Sequence, residues 1–231
     1  MQTSSERHEI HNVAVFDFDG TIVDGQSGAL FTTYLFRNHI MSLGRALRLG
    51  WWGVRYKLHL PYRQDEAREL VFGALLGRPY DEVDALMVRF HDEVLLPRYR
   101  PQAVDEVARR SAEGNVTLLV SATFETIAQA AARTLGMDGV VATQMAHDAQ
   151  GAYLGVVEGP VIAGAEKYRA VVRWCDERLG FGQWLLAYAY GDHHTDKDLL
   201  SHAQEPFAVC PGKTLHAIAK QHGWKILEWD A

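Results

Sequence analysis

The stretch that constrains this chain most is Val13-Ala14-Val15-Phe16-Asp17-Phe18-Asp19-Gly20-Thr21, an apolar run ending abruptly in two carboxylates and a glycine. Val13 to Phe16 is short, β-branched and aromatic, which is how a strand buried on both faces of a parallel sheet reads. Open α/β sheets bind ligands beyond the carboxyl ends of their strands. Two acids at such an end are costly unless each finds solvent, a cation or a proton. Gly20 permits a sharp turn and brings bare N–H groups to whatever the acids face. The stretch admits two readings: a solvated turn, or a nucleophile and a general acid/base sharing a divalent cation.

The remaining composition narrows the classes of protein available. A chain of 231 residues with 48% apolar and 23% charged residues can bury a full core. Its net charge is −6 and it has no basic block, so the electrostatic footprint of a nucleic-acid binder is missing. Cys175 and Cys210 are far apart and outside any metal-ligand spacing, as suits a reducing compartment. The polar start over residues 1–12 has no apolar core of signal-peptide length, and no charge-free stretch is long enough to span a bilayer. These features predict a cytoplasmic protein with neither a nucleic-acid nor a membrane partner.

After the first strand the chain does not return quickly to a strand pattern. Dense apolar residues from Gly28 to Leu58, interrupted by Arg37, Arg45, Arg48, Arg55 and Lys57, predict helices buried on one side. Asp65 to Gly77 and Asp81 to Leu95 predict two more, the first stopped by Gly77. An α/β rhythm follows. A helix opens at Pro101, with Val104, Val107 and Ala108 as its apolar face, and ends by Gly114. Strands are predicted over Val116–Val120, Val140–Thr143 and Trp184–Tyr190, with outer strands at Phe207–Cys210 and Lys225–Leu227. Helices fall over Thr126–Leu135, Glu166–Leu179 and around Leu215–Gln221, and Met145–Glu158 reads as a hairpin. The pattern predicts an α/β fold: a doubly wound parallel-sheet core over 1–25 and 97–231, with an inserted all-helical cap over 26–96.

Polar groups collect at the strand ends. Asp17 and Asp19 follow the first strand, Ser121 follows the second, and Asp192 and Asp196 follow the Trp184–Tyr190 strand. Lys167 opens the helix before that last one. In a parallel sheet these ends point the same way, so four carboxylates, a hydroxyl and an ammonium could share one site. A hard cation such as Mg²⁺ would relieve the repulsion among the acids, and an anion beside it would occupy Ser121 and Lys167. Together these groups describe a phosphoryl site. Taken singly, Ser121 could cap the next helix and Lys167 could be a surface residue; the joint pattern favours the site.

Asp-Phe-Asp-Gly-Thr, then Ser121, then Gly164-Ala165-Glu166-Lys167, then Gly191-Asp192 with Asp196, resembles the four motifs of the haloacid dehalogenase superfamily. A long insert after the first motif and only a hairpin between Ser121 and Lys167 is similar to the phosphoserine-phosphatase-like branch, whose cap is helical. The resemblance implies a Rossmann-like core, Mg²⁺ as cofactor and phosphomonoester hydrolysis. It implies that Asp17 attacks phosphorus and forms an aspartyl-phosphate. It implies that Asp19 protonates the leaving alcohol and later deprotonates water, with a raised pKa. Asp17, the Asp19 backbone carbonyl, Asp192 and Asp196 would hold Mg²⁺. Ser121, Lys167 and the N–H groups of Phe18, Asp19, Gly20 and Ala122 would hold phosphate.

The remaining motifs are weaker. Gln26 replaces the glutamate that phosphoserine phosphatases carry nine residues after the nucleophile, and Asp24 lies just before it. Candidate specificity residues are therefore Gln26, Arg55, Arg63, Arg68 and His193, with phosphoserine, histidinol phosphate and a lipid-linked phosphate all open as substrates. His193 and His194 read as a solvated loop more readily than as ligands. Thr195 with Asp198 has the form of a capping box. Trp51 and Trp52 are expected to pack the insert onto the core rather than to meet lipid. Other chemistries keep the same residues: phosphate transfer to an alcohol, or a slow phospho-accepting regulator. Against the regulator, a general base beside the acyl phosphate would shorten its life.

Overall fold

The computed structural model describes the backbone of residues 10–58 and 66–230 and, within these, the side chains except those of 56, 57 and 66–69. Its centre is β1 (His11–Asp17), whose Val13, Ala14, Val15 and Phe16 are fully buried. Among the described residues the strands are β2 (Val116–Phe124), β3 (Gly139–His147), β4 (Tyr153–Glu158), β5 (Trp184–Gly191), β6 (Glu205–Val209) and β7 (Lys225–Leu227). They form one sheet in the order β4-β3-β2-β1-β5-β6-β7, parallel except for β4 against β3. β1 is flanked by parallel partners on both edges, and its alternate side chains feed two separate cores. Ala14 and Phe16 face the core that also holds Leu119, Tyr190 and Phe207. Val13 and Val15 face the other, with Leu118, Val120 and Ala189. Phe16, Tyr190 and Phe207 stack in a row at centroid distances of 4.3 and 4.7 Å.

Helices cover both faces. α5 (Pro101–Ala112) and α6 (Glu125–Leu135) lie on the Phe16 side; α7 (Ala165–Leu179), α8 (Lys197–Ser201) and α9 (Lys213–His222) lie on the Val15 side. The buried face of α5 is Ala103, Val107 and Arg110, not Val104 and Ala108, which are exposed. Arg110 can be buried because Glu106 and Glu113 neutralise it at 3.0 Å each, and its guanidinium lies 3.5 Å over the Tyr188 ring.

Between β1 and β2 the chain forms α1 (Ser27–Arg37), α2 (Leu43–Lys57), α3 (Glu66–Leu75) and α4 (Tyr80–Phe90). The single helix expected over 81–95 is interrupted: α4 stops at Phe90 and continues as a π-helical turn, His91–Leu95, and a 3₁₀ turn, Leu96–Arg98. Pro97 has no N–H with which to extend an α-helix. Trp52 is half-buried, whereas Trp51 is 58% exposed, so the expected packing role does not extend to Trp51.

The entry and exit of this helical segment run side by side. Asp24 N–H donates to the Arg98 carbonyl and Arg100 N–H to that of Ile22, both at 2.9 Å, and Arg100 pairs with Asp24 at 2.7 Å. A second tie lies at the α3–α4 turn. Gly77 N–H donates to Tyr153 O, Tyr153 N–H to Arg78 O and Tyr80 N–H to Gly151 O, at 2.9, 3.0 and 2.7 Å. Asp84 of α4 accepts from Thr126 at 2.7 Å and from the Tyr153 hydroxyl at 3.1 Å. The helices are thereby held over the carboxyl ends of the strands, where the sequence places its polar groups.

Candidate active site

Asp17 is the last residue of β1 and is only 4% exposed. Lys167, in the first turn of α7, is equally enclosed, and its Nζ lies 2.7 Å from Asp17 and 2.6 Å from Asp196. Asp196 is fully buried and also accepts the His193 backbone N–H at 3.1 Å, so both its oxygens are engaged. Asp192, just beyond β5, completes a cluster in which one carboxylate oxygen each from Asp17, Asp192 and Asp196 lies within 4.8 Å of the others. Gly20 makes this approach possible. Its φ is +77°, and a Cβ there would stand 2.1 Å from an Asp192 oxygen.

The electrostatics follow from burial and crowding. Burial pushes the Asp17 carboxyl well above the usual range; Lys167 opposes this, while Asp196 and Asp192 reinforce it. Burial, then Asp196, push Asp192 up to about 7. Burial works against the Lys167 charge, yet Asp17 and Asp196 outweigh it and hold the ammonium protonated. One ammonium among three acids leaves negative charge uncompensated. The donors are all carboxylate oxygens, which suits a hard divalent cation rather than a soft one.

Asp19 stands apart from this cluster. Its Oδ1 accepts the Ser27 backbone N–H at 2.7 Å and its Oδ2 the Ser27 hydroxyl at 2.8 Å, at the N-terminus of α1. Ser27 Oγ lies 2.9 Å from Thr123 Oγ1, and the Thr123 N–H donates to Ser121 Oγ at 3.1 Å. Burial raises the Asp19 pKa, while both Ser27 bonds pull it back. The two carboxylates at the end of β1 thus occupy different surroundings: one crowded by acids and a lysine, the other held by neutral donors.

The model of the haloacid dehalogenase-like hydrolase family matches residues 14–201. The chain belongs to that family. A histidinol-phosphatase of Neisseria meningitidis is 25% identical over 94% of this chain and 99% of that protein. A phosphoserine phosphatase of Mycobacterium tuberculosis is 26% identical over 94% of this chain and 70% of that protein. Family and relatives together make this chain a phosphatase. Among solved structures, a protein of unknown function from Bordetella pertussis Tohama I superposes with a TM-score of 0.84 at 27% identity, covering 95% of this chain and 99% of that one. A phospho-aspartyl intermediate analogue of phosphoserine phosphatase gives a TM-score of 0.63 at 17% identity over 96% of both chains, a likeness of fold.

Against the sequence expectations for such a hydrolase, Asp17, Lys167, Asp192 and Asp196 come together directly. Ser121 is buried one residue beyond Val120, which pairs with Asp17 in the β1–β2 register; Ala122 follows it, half-buried. The Asp19 carboxylate lies outside that group of three acids, both its oxygens accepting from Ser27. Gln26 is exposed at the start of α1 and Arg55 is half-buried on α2. Arg63 lies outside the described residues, as does the side chain of Arg68. His193 is exposed, its ring 4.0 Å from that of His194. A capping box does form here, but between His193 and Asp196 rather than Thr195 and Asp198, because Asp196 is drawn inward by Lys167. Ser27 and Thr123 were missed by sequence reasoning. The only available signal was a small hydroxyl residue at a helix start, which is common at any helix N-terminus.

Proposed function

We propose that this phosphatase hydrolyses small phosphate monoesters through an aspartyl-phosphate on Asp17, with Mg²⁺ as cofactor. The observation that carries the reading is the division of labour at the end of β1: Asp17 lies against Lys167, and Asp19 is held separately by Ser27. Asp17, Asp192, Asp196 and the Asp19 carbonyl are the groups assigned to the cation. When bound, Mg²⁺ supplies the positive charge that lets Asp17 ionise and that offsets charge developing on the phosphoryl oxygens.

The chain's own residues then divide two displacements. An Asp17 oxygen forms a bond to phosphorus as the bond to the leaving oxygen breaks, and Asp19 gives its proton to that oxygen. In the second displacement Asp19 takes a proton from water as the water oxygen attacks phosphorus. The phosphorus–Asp17 bond breaks and inorganic phosphate leaves. Lys167, the Ser121 hydroxyl and the N–H groups of Phe18, Asp19 and Ala122 are assigned to the phosphoryl oxygens; the Gly20 N–H, expected among them, instead donates to the Val23 carbonyl at 2.9 Å. A preorganised set of donors at such a position is commonly the largest electrostatic contribution to a transfer of this kind.

We assign residues 26–96 to a cap and residues 1–25 and 97–231 to the core, since the paired strands of chain at 22–24 and 98–100 are where the helical segment leaves and rejoins the sheet. The relatives named for histidinol phosphate and phosphoserine support a phosphorylated amino alcohol or amino acid as substrate, and a cytoplasmic setting suits such metabolites and two free cysteines. Phosphate release from phosphoserine, histidinol phosphate, sugar phosphates, nucleotides and phosphatidylglycerophosphate, measured with Mg²⁺ or EDTA for wild type and Asp17→Asn, tests the reading. Turnover is expected to require both Mg²⁺ and Asp17. Folded protein that turns over no phosphomonoester would end the proposal.

A further inference from the structure

Helix α2 presents apolar residues on two opposite sides, and its neighbours use only one. Ala46 and Leu49 pack against the core cluster and Trp52 is half-buried beside them. On the other side Leu43, Leu47, Trp51, Val54 and Leu58 are exposed by 63, 65, 58, 44 and 63%. At 3.6 residues per turn these five fall within an arc of roughly 80°. Isolated exposed apolar residues are ordinary, but a continuous stripe of this length marks an interaction surface.

The charge on the helix says what that surface meets. Arg45, Arg48, Arg55 and Lys57 are its charged residues, with no acid among them, in a chain whose net charge is −6. The same winding sets Arg48 and Arg55 along one border of the stripe. We propose that this face of α2 docks on an anionic lipid bilayer, the stripe entering the headgroup boundary and the arginines along its border, the exposed Arg48 foremost, meeting lipid phosphates. Trp51 suits that boundary, with an apolar ring and one N–H to place in water or among headgroups. A second copy docked through the same face would bring each copy's arginines toward the other's, whereas a phosphate-bearing surface complements them. The attachment is peripheral, since among the described residues no helix is long and apolar enough to cross a membrane. It departs from the sequence expectation of no membrane partner, and it stands apart from the catalytic reading because it uses none of the strand-end residues.

Flotation of the full chain tests it, with vesicles of phosphatidylcholine alone or of three parts phosphatidylcholine to one part phosphatidylglycerol. Wild type is expected to float with the mixed vesicles, less so as salt rises, and not with phosphatidylcholine alone. Leu47→Glu with Trp51→Glu should lower partitioning at least tenfold. Arg48→Gln should lower it about fivefold, as one basic residue fewer near an anionic surface predicts. Circular dichroism and unchanged turnover of a soluble phosphomonoester keep a folding defect distinguishable. Failure to float with either vesicle, or equal flotation with both, would overturn the proposal. A concentration-dependent dimer that the double variant dissolves and that mixed vesicles do not would reassign the face to a second copy.

Discussion

Ser27 grips Asp19 twice, through its backbone N–H at 2.7 Å and its hydroxyl at 2.8 Å, so the first residue of α1 sets the orientation of the second strand-end acid. The hydroxyl has a further neighbour in Thr123 at 2.9 Å, which links the start of the helical segment to the Ser121 strand. Ser27→Ala keeps the backbone bond and loses the other. A hydrogen bond to a charged group is worth about 1.5–3 kcal/mol, so kcat should fall roughly tenfold to a hundredfold. Ser27→Thr should restore most of it. Because both Ser27 bonds pull the Asp19 pKa down, the alanine variant should also move the Asp19 limb of the kcat–pH profile upward. A profile unmoved in Ser27→Ala would deny Ser27 this positioning role.

Lys167 is the described cation that joins Asp17 to Asp196, and it is enclosed with them. Removing one partner of a buried ionic cluster commonly costs about 3–5 kcal/mol. Lys167→Met should therefore unfold at lower denaturant, with the loss larger at pH 8 than at pH 5, where the freed acids can take up protons instead. Equal loss at both pH values would mean that the lysine contributes packing rather than charge.

Gly20→Ala tests the closeness of the β1 turn to Asp192. A Cβ there would sit 2.1 Å from the Asp192 carboxylate on a backbone of φ +77°, so the carboxylate must move. Calorimetric Mg²⁺ affinity should fall at least tenfold and turnover with it, while the far-UV spectrum stays native. Mg²⁺ affinity equal to wild type would remove Asp192 from the proposed ligand set.

Burial and Asp196 push Asp192 up to about 7, from an ordinary carboxyl value near 4. A carboxyl raised in the folded state holds a proton that the unfolded chain has already released. Its contribution to stability is complete below about pH 4 and is lost as pH rises through 7. Asp17, raised by burial, adds in the same direction. In EDTA the melting temperature of wild type should fall from pH 5 to pH 8 more steeply than that of Asp192→Asn. Mg²⁺ takes the place of the proton, so the rise in melting temperature it produces should be greater at pH 8 than at pH 5. A larger Mg²⁺ effect at pH 5 would contradict a carboxylate cation site.

Much of the sheet was legible because its signals are local. Val13 to Phe16 reads as a two-faced buried strand from four consecutive residues, and Gly136 stops α6 in a left-handed conformation that glycine adopts without strain. Asp17, Asp19 and Asp192 were legible for the same reason, since each stands within three residues of its apolar run. The inward face of α5 was misread: Val104 is 38% exposed and Arg110 is buried. Glu106 and Glu113 are local partners of Arg110, at i−4 and i+3, but they do not mark it as buried; the Tyr188 ring and the Tyr190 hydroxyl that enclose it lie on β5, remote in sequence.

The sequence by itself determined which chemical groups stand at the ends of which strands, because covalent adjacency and the two-residue period of a strand settle that before any packing occurs. Only the tertiary structure decided how those groups are partnered. It paired Lys167 with both Asp17 and Asp196, turned Asp19 toward Ser27, and left the Leu47–Trp51 side of α2 facing outward. Hydrogen bonds and ion pairs act over about 3 Å between residues up to 150 positions apart, as Asp17 and Lys167 are, so they exist only once the layers have packed. A helix with apolar residues on opposite sides cannot reveal, until its neighbours are in place, which side they will cover.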